Sequence, residues 1–356
     1  MISIEKGTVK EIIKKHSKRT DILVEVDGRK EKAINYDEMT GEVQVGNPVI
    51  LNTTAVKLGL GTGGYHFVLH NLAQEQKEMP MGGHIMKLRY TPQQIKVFAA
   101  EEQESQYHRA FLDFESLGTM PVLVGTLHSM LMPLVATLKY LNPQIKIAYI
   151  MTDGAALPIA LSNTVELLKK NGIIDTTITI GHAFGGDLEC VNVYNGLIAA
   201  KEIALCDIAI VVMGPGIVGT GTPFGFTGIE QGINLDAVEV LGGIPIAVPR
   251  ISFADGRERH KGISHHSLTV LDKICRGKSR VVLPLLVGQE RELVHHQIKN
   301  LKIDEKHYIV EENGNIVFDA LEHFDFTVST MGRGVKEDAA FFLTCGAAAS
   351  YGMTLI

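Results

Sequence analysis

The sequence contains no tryptophan and only four cysteines in 356 residues. These cysteines, Cys190, Cys206, Cys275 and Cys345, lie far apart and form no C-x-x-C pair. Their spacing predicts neither a disulfide framework nor a cysteine metal site. The first residues, MISIEKGTVK, also lack the basic-then-apolar order of a signal peptide. We therefore expect buried thiols in a reducing compartment and a cytoplasmic protein.

Long hydrophobic runs and an excess of positive charge are missing as well. The most apolar segments are residues 121–141, which His128 and Pro133 interrupt, and residues 339–356, in which small residues dominate. Neither segment has the roughly 20 apolar residues of a clean membrane span. Lys and Arg number 34 against 40 Asp and Glu, so the basic field of a nucleic-acid-binding protein is absent. No membrane and no nucleic-acid partner is expected, whereas homo-oligomerisation stays open.

Two common nucleotide and hydrolase signatures are absent. The sequence has no G-x-x-x-x-G-K-[ST] loop, which argues against a P-loop NTPase. It also has no G-x-S-x-G elbow, which argues against an ordinary serine hydrolase. No internal repeat is found either, so a solenoid or propeller is not predicted.

The sequence pattern divides the chain into two regions joined by a linker. Residues 1–70 consist of short β-branched runs separated by turns such as Asp27-Gly28, which predicts a small antiparallel β-barrel domain. Residues 71–90 are polar and carry Pro80 and Gly82-Gly83, as in a linker. In residues 91–356, unpatterned apolar runs alternate with amphipathic stretches. That alternation predicts an α/β domain with a mostly parallel, doubly wound, Rossmann-like sheet.

Individual elements of the larger domain follow from the same patterns. Thr91-Pro92 predicts the start of a helix that runs toward Tyr107, and Asn313-Gly314 predicts a hairpin turn. The order of the strands stays open between two arrangements. A flavodoxin-like order would bring His128 beside His182, whereas a Rossmann order would bring it beside Gly214. Buried strands are predicted at residues 122–127, 145–151, 177–180, 208–213, 244–248 and 281–285, and a last strand is predicted at residues 326–329.

Polar side chains and glycines follow most of these strands. In an open parallel sheet, ligands bind outside the carboxyl ends of the strands, where the crossover loops gather. More histidine, aspartate and arginine side chains follow these strands than a merely solvent-exposed edge would need, which favours a functional site. An edge without function is the alternative. The residues that follow successive strands are His128, Asp153, His182, Gly214, Arg250 and Arg333.

The loop of residues 214–228, GPGIVGTGTPFGFTG, is the strongest single feature. Gly214, Gly216 and Gly219 match G-x-G-x-x-G directly after a predicted strand, which is the setting of a dinucleotide fingerprint. However, Pro223 prevents the helix that should follow, and Arg250 stands near the place of the acidic ribose ligand. NAD is therefore disfavoured as a cofactor.

A more general use of this loop remains. Its backbone N–H groups, together with Thr220, could wrap an anionic group. A flexible substrate lid or a contact between subunits is the alternative. Arg333, which lies between two glycines after the last predicted strand, could clamp a carboxylate or phosphate, although ordinary helix capping also explains that segment.

Histidines are the remaining candidates. Ser264 is the predicted N-cap of a helix, so His265 and His266 would lie at the positive end of its dipole and stay neutral. Neutral imidazoles can bind a divalent metal, or they can act as general acid or base beside arginines that hold an anion. Both roles stay open. The candidate metal ligands are His128, Asp153, His182, His260 and His266.

Several motifs together are specific to one family. They are MKLRYTP after Gly82-Gly83-His84, then MPVLVGTLHSML, MGPGIVGTGTPFGFTG, GISHHS and STMGRG. In these segments the chain resembles an uncharacterised bacterial family, domain of unknown function 3866, over nearly its whole length. The resemblance implies no activity and no catalytic residues.

Placement at the strand ends therefore carries the functional hypothesis. We expect an enzyme that binds a small anionic molecule, phosphorylated or nucleotide-like. A non-catalytic binding or regulatory protein and a metal-dependent hydrolase are the alternatives. The expected anion ligands are Gly214, Gly216, Gly219, Thr220, Arg250 and Arg333, and the expected catalytic residues are His128, Asp153, His182 and His265.

Overall fold

A computed structural model describes residues 1–74 and 81–356 of the chain. The chain divides into two compact units, Met1–Lys96 and Val97–Ile356. Part of the predicted linker, including Pro80, lies outside the described residues. Another part of it, Ile85–Lys87, forms a short strand.

The first unit contains a closed five-stranded barrel, as predicted. Its strands follow the order β1-β2-β3-β5-β4, and every ladder is antiparallel except β3–β5, which is parallel. Val9, Ile22 and Leu51 fill its core without solvent exposure. Closure pairs every strand on both sides and so removes exposed edges. The elements of this unit are β1 Ile4–Lys15, β2 Arg19–Val26, β3 Arg29–Tyr36, α1 Asp37–Thr40, β4 Pro48–Asn52, α2 Thr54–Lys57, β5 Tyr65–Asn71 and β6 Ile85–Lys87, and β7 Ile95–Val97 spans its boundary with the second unit.

The predicted helix from Thr91-Pro92 to Tyr107 is wrong. The short strand β7 lies within that range, and the next helix, α3, spans His108–Leu112. The Thr91 hydroxyl donates to the Leu88 carbonyl at 2.7 Å and so closes a turn instead of capping a helix. A threonine before a proline suits both structures, which is why the pattern misled.

The second unit is built on an eight-stranded sheet in which every ladder is parallel. All residues of two central strands, β9 and β12, are buried, as expected for a sheet covered on both faces. The sheet strands are β8 Pro121–Val124, β9 Ile147–Thr152, β10 Thr176–Thr179, β11 Leu188–Glu189, β12 Ile208–Met213, β13 Ile244–Ala247, β16 Arg280–Pro284 and β17 Tyr308–Glu312, while β14 Ile251–Ser252 and β15 Gly262–Ile263 form a separate hairpin.

Helices cover both faces of this sheet, which confirms the predicted α/β fold class. One core packs α4, α11 and α12 against one face, and a second core packs α6, α7 and α9 against the other. Two helices, α6 and α8, continue directly into π-helical turns. The helices are α4 Leu131–Leu141, α5 Asn163–Lys170, α6 Val193–Ile198, α7 Glu230–Val240, α8 His265–Thr269, α9 Gly288–Asn300, α10 Ile303–Lys306, α11 Ile316–His323 and α12 Ala339–Met353.

The strand order is neither of the two that were considered. It reads β11-β10-β9-β12-β8-β13-β16-β17, so β12 inserts between β9 and β8. The carboxyl ends of β12, β8 and β13 therefore lie side by side. His128, which follows β8, lies beside the end of β12 at Met213, as a Rossmann order would also have placed it.

The strand predicted at residues 326–329 does not form. The predicted hairpin at Asn313-Gly314 is also wrong. These residues connect β17 to α11, and β17 pairs with β16 in parallel. The Asn313 side chain accepts a hydrogen bond from the Asn315 backbone N–H at 3.0 Å, just before the helix begins. Gly314 is needed because any Cβ there would overlap the backbone of α12 at Leu343.

The two apolar segments noted in the sequence belong to the interior of the second unit. Most residues of α4 and α12 are buried in the first of the two cores. Among the described residues, no helix is both long and apolar enough to cross a bilayer.

Candidate functional site

A cavity of about 110 Å³ lies at the carboxyl edge of the sheet. Four chain segments build it: the residues after β8, the loop after β12, the segment from β13 through the β14–β15 hairpin to α8, and the segment between α11 and α12. Polar and apolar side chains share its wall. The lining residues are Thr126, Leu127, Ile217, Val218, Gly219, Gly221, Arg250, Arg257, Arg259, His260, His266 and Met331.

Arg250 lines this site and is buried, with only 6% of its surface exposed. Its backbone N–H donates to the Ser267 hydroxyl at 2.9 Å, and its carbonyl accepts from the Ser264 N–H at 2.8 Å. Its guanidinium donates to Asp255 at 2.7 Å. The start of α8 and the hairpin loop therefore hold this arginine from both ends.

Asp255 organises a second arginine. Arg257 donates to it twice, from Nε and from a terminal nitrogen, both at 2.9 Å. These bonds, together with those from Arg250, hold the pKa of Asp255 well below its usual range. Asp255 is therefore a fixed anion whose charge the two guanidinium groups already compensate. It positions arginines and has little capacity left for a ligand.

Arg259 is different, because it makes no hydrogen bond and no ion pair with the described residues, although it lines the cavity. Nearby, Arg333 contacts Asp338 at 3.0 Å and approaches Asp255 at 3.8 Å. Cations thus outnumber the carboxylates they touch, and the excess favours an anionic ligand. The groups counted are the guanidiniums of Arg250, Arg257, Arg259 and Arg333 and the carboxylates of Asp255 and Asp338.

Three histidines adjoin these arginines. One nitrogen each from His260, His265 and His266 lies within 4.8 Å of the others. Burial, reinforced by the charges of Arg250 and Arg257, lowers the pKa of His260 to about 3. Burial is also the largest cause that lowers the pKa of His266 to about 4 and the pKa of His265 below its usual value. All three imidazoles are therefore neutral near pH 7.

The spacing of these three histidines would suit a divalent metal, but the hydrogen bonds of His260 argue against metal binding. His260 Nδ1 lies 3.1 Å from an Arg250 guanidinium nitrogen and 2.7 Å from the Ser264 hydroxyl. Arginine is only a donor, so Nδ1 must accept and the ring proton must lie on Nε2. A metal on Nε2 would require that proton on Nδ1, facing the donor of Arg250. The neighbouring guanidinium charges would also repel a cation.

His266 faces the cavity in a fixed orientation. Its ring stacks on Phe226 with 4.0 Å between ring centroids and 8° between planes. The Cε1–Nε2 edge of the ring lies against Gly219, where a Cβ would come within 3.2 Å of Cε1 and 3.5 Å of Nε2. A glycine at this position leaves that edge uncovered. His265, by contrast, does not line the cavity, and its buried Nε2 has no hydrogen-bond partner.

His128 lies outside this wall and bonds elsewhere. Its Nε2 is 2.7 Å from the Ser162 hydroxyl, and its Nδ1 is 3.3 Å from the Met213 carbonyl oxygen. Burial lowers the pKa of His128 to about 4. Ser162 also caps α5 by accepting from the Val165 N–H at 3.0 Å. The pair anchors the loops after β8 and before α5 to the end of β12.

Asp153 and His182 contact each other, and neither lines the cavity. One carboxylate oxygen of Asp153 accepts from the backbone N–H of His182 at 2.9 Å, so this contact ties the loops after β9 and β10 together. Among the described residues, neither Asp153, His182 nor His128 belongs to a three-ligand cluster. Of the five metal candidates from the sequence, His260 and His266 therefore lie together in the described residues, and the other three do not join them.

Some of the predicted anion ligands lie at the cavity and others do not. Gly219 and Arg250 line the cavity, and Arg333 adjoins it through Asp255. Thr220 hydrogen-bonds within its own loop, to Thr222 at 2.9 Å. Buried Gly214 packs on Met151, and Gly216 adopts a φ of 111° opposite Ala155, so neither contributes to the wall.

Sequence reasoning missed several residues of the site. Arg257 and Arg259 stand out only once Asp255 is seen to fix one of them and leave the other unpaired. Glu230, in the first turn of α7, accepts a hydrogen bond from the Thr152 hydroxyl, and burial raises its pKa to about 7. In the sequence, an acid in the first turn of a helix indicates only ordinary capping. Its partner Thr152 ends β9, and no local pattern reveals a contact between residues so far apart in the chain.

Fold and site together define an α/β protein with an arginine- and histidine-lined cavity at the carboxyl edge of a parallel sheet. Residues 32–349 match the family model described as "Protein of unknown function (DUF3866)", and the chain belongs to that family. The resemblance seen in the sequence motifs is thereby confirmed. Comparison with curated proteins and with solved structures finds no match.

Proposed function

We propose that this protein is an enzyme that binds a small anionic molecule, phosphorylated or nucleotide-like, in the cavity lined by Arg250, Arg257 and Arg259. One observation carries the proposal: Arg259, an exposed residue, lines a cavity whose other arginines are already fixed, and its guanidinium has no hydrogen-bond or ion-pair partner among the described residues. An anion would supply the missing counter-charge.

The chemistry of guanidinium supports a phosphate or carboxylate as the bound group. Its planar fork matches two oxygens of either anion, and such charge-assisted hydrogen bonds are about twice as strong as neutral ones. Asp255 holds Arg257 in place before any ligand arrives. That preorganisation lowers the entropy cost of binding.

The remaining wall supports an organic ligand and proton transfer. Leu127, Ile217 and Met331 offer apolar surface beside the arginines, as ligand pockets usually do. His266 is neutral and can accept a proton near a reacting group, and His260, whose Nδ1 accepts from Arg250, can donate a hydrogen bond from Nε2. These features favour an enzyme over a simple anion-binding protein.

A second candidate function is non-catalytic binding of a protein partner. Val218, Phe224 and Met331 expose 61%, 55% and 53% of their surfaces near the same loop. Exposed apolar side chains of this size can mark an interface. The third candidate, a metal-dependent hydrolase, is disfavoured by the proton on His260 Nε2 and by the surrounding arginines.

A thermal-shift screen separates these candidates. The full chain is heated with inorganic phosphate, sulfate, phosphorylated metabolites or divalent metals, since a ligand that binds only the folded state raises the melting temperature. Anions should stabilise the protein, and a ligand at a hundred times its dissociation constant adds about 2.7 kcal/mol. Stabilisation by metals alone would support the hydrolase. No shift with any of them would support the protein-binding candidate.

We also infer a reducing, cytoplasmic setting. All four cysteines are free thiols and buried, which is the usual state in a reducing compartment.

A further inference from the structure

We propose that His266 is a catalytic nucleophile whose Nε2 accepts the phosphoryl group of a phosphate monoester bound in this cavity. The inference rests on the proposed anion site and narrows its ligand to a class: phosphate esters whose alcohol or acyl part lies on the apolar wall. Two features of the structure, the edge of the His266 ring and the unpaired Arg259, carry it.

The ring of His266 is held where a nucleophile must be held. Stacking on Phe226, with planes only 8° apart, limits its rotation, and its backbone N–H bonds to the Ser264 hydroxyl at 3.3 Å. Gly219 leaves the Cε1–Nε2 edge open where any larger residue would stand against it. No hydrogen bond from the described residues occupies either ring nitrogen, so a lone pair is available for attack.

The arginines supply the electrostatics that such a transfer requires. Arg259 and Arg257 line the same cavity as His266 and can hold the non-bridging oxygens of a phosphoryl group. His260 carries its proton on Nε2, because Nδ1 accepts from Arg250 at 3.1 Å, and so offers a further donor in that wall. Positioning and stabilisation of charge provide most of the catalysis in phosphoryl transfer.

The reaction balances without any co-reactant except water. Nε2 of His266 forms a bond to phosphorus while the bond from phosphorus to the ester oxygen breaks, and the departing oxygen takes a proton from solvent. Water then attacks the phosphorus of the phosphohistidine. The P–N bond breaks and its electron pair returns to Nε2, so neutral histidine and inorganic phosphate remain. The proton that the water loses goes to solvent and replaces the one that the ester oxygen took. Histidine is an established covalent nucleophile of this kind.

A second pair, His128 and Ser162, also has the spacing of a base and a nucleophile, at 2.7 Å. Ser162 is only 3% exposed and caps α5, and neither residue lines a described cavity. His266 is therefore the nucleophile that a substrate can reach.

The test traps the intermediate on the full chain. The protein is incubated with acetyl phosphate, quenched in alkali, digested and examined by mass spectrometry. We expect one phosphoryl group on the peptide that contains His266, stable in alkali and lost in acid. His266→Asn should abolish the label. His296→Asn, at an exposed histidine of α9, is the matched control and should retain it.

Two further measurements guard against a folding artefact. Gly219→Val replaces no histidine but puts a side chain against Nε2 of His266, so it should also abolish the label. In His266→Ala, added imidazole should restore hydrolysis of p-nitrophenyl phosphate. If the wild type binds inorganic phosphate but never labels at His266, the nucleophile is refuted while the anion site stands. If inorganic phosphate does not bind at all, both proposals fail together.

Discussion

Replacing Glu230 by glutamine should change how stability depends on pH. Burial raises the pKa of this carboxyl from 4.5 to about 7 in the folded chain. Below pH 4.5 both the folded and the unfolded chain hold the proton. Between pH 4.5 and 7 the folded state keeps a proton that the unfolded state loses, so the free energy of unfolding must fall as pH rises. Above pH 7 the loss is complete.

The size of this effect follows from the shift. At 1.36 kcal/mol for each pKa unit, the rise from 4.5 to about 7 corresponds to about 3 kcal/mol. Glutamine cannot titrate, so the Glu230→Gln variant should lose this slope and gain stability relative to the wild type as pH rises. The Thr152 hydroxyl can still donate to its amide oxygen, which limits any other change.

Denaturant unfolding across this pH range measures the difference between variant and wild type, so that the titration of all other groups cancels. Glu292→Gln, at an exposed residue of α9, is the control and should show a difference that does not vary with pH. A constant difference for Glu230→Gln, or one that moves in the opposite direction, would refute the reasoning about its burial.

Two further predictions concern other residues. Asp255→Asn leaves the buried guanidinium of Arg250 without its counter-charge and should destabilise the protein by about 3 to 5 kcal/mol in urea unfolding. Asp113→Asn, which breaks only an exposed ion pair with Arg109, should cost less than about 1 kcal/mol, and equal costs would contradict the buried cluster. Gly314→Ala places a Cβ on the backbone of α12 and should cost at least about 2 kcal/mol by thermal or denaturant unfolding. Gly256→Ala, where a Cβ meets nothing within 4 Å, should change stability little; a similar loss in both variants would show that α11 and α12 do not pack as described.

Short-range patterns predicted much of the fold. Strand β12, Ile208–Met213, was predicted to the residue because a run of β-branched and apolar residues ends at Gly214. The alternation of such runs with amphipathic helices also predicted an α/β sheet after a small barrel. These features depend only on neighbouring residues.

Features that depend on distant residues could not be predicted. Gly314 serves a close approach to Leu343, which the dipeptide Asn-Gly does not reveal. The insertion of β12 between β9 and β8 decides which loops meet, and no local pattern determines it.

The site shows the same division. Placing functional groups at strand ends led to His128, Asp153, His182 and Arg250, all of which lie at that edge. Only the hydrogen bonds show that His128 turns toward Ser162, and that Asp255 fixes Arg257 and leaves Arg259 unpaired. Whether a residue at this edge lines the cavity depends on the direction of its side chain, which its position in the sequence does not reveal.

Calorimetric titration of inorganic phosphate into the full chain tests the anion site most directly. The wild type should bind at one site, and Arg259→Gln should bind at least about tenfold more weakly, a change of about 1.4 kcal/mol, because it removes one charge-assisted contact. Arg276→Gln, which removes an exposed arginine elsewhere in the same unit, should bind like the wild type. Equal phosphate affinity in the Arg259 variant and the wild type would contradict the account.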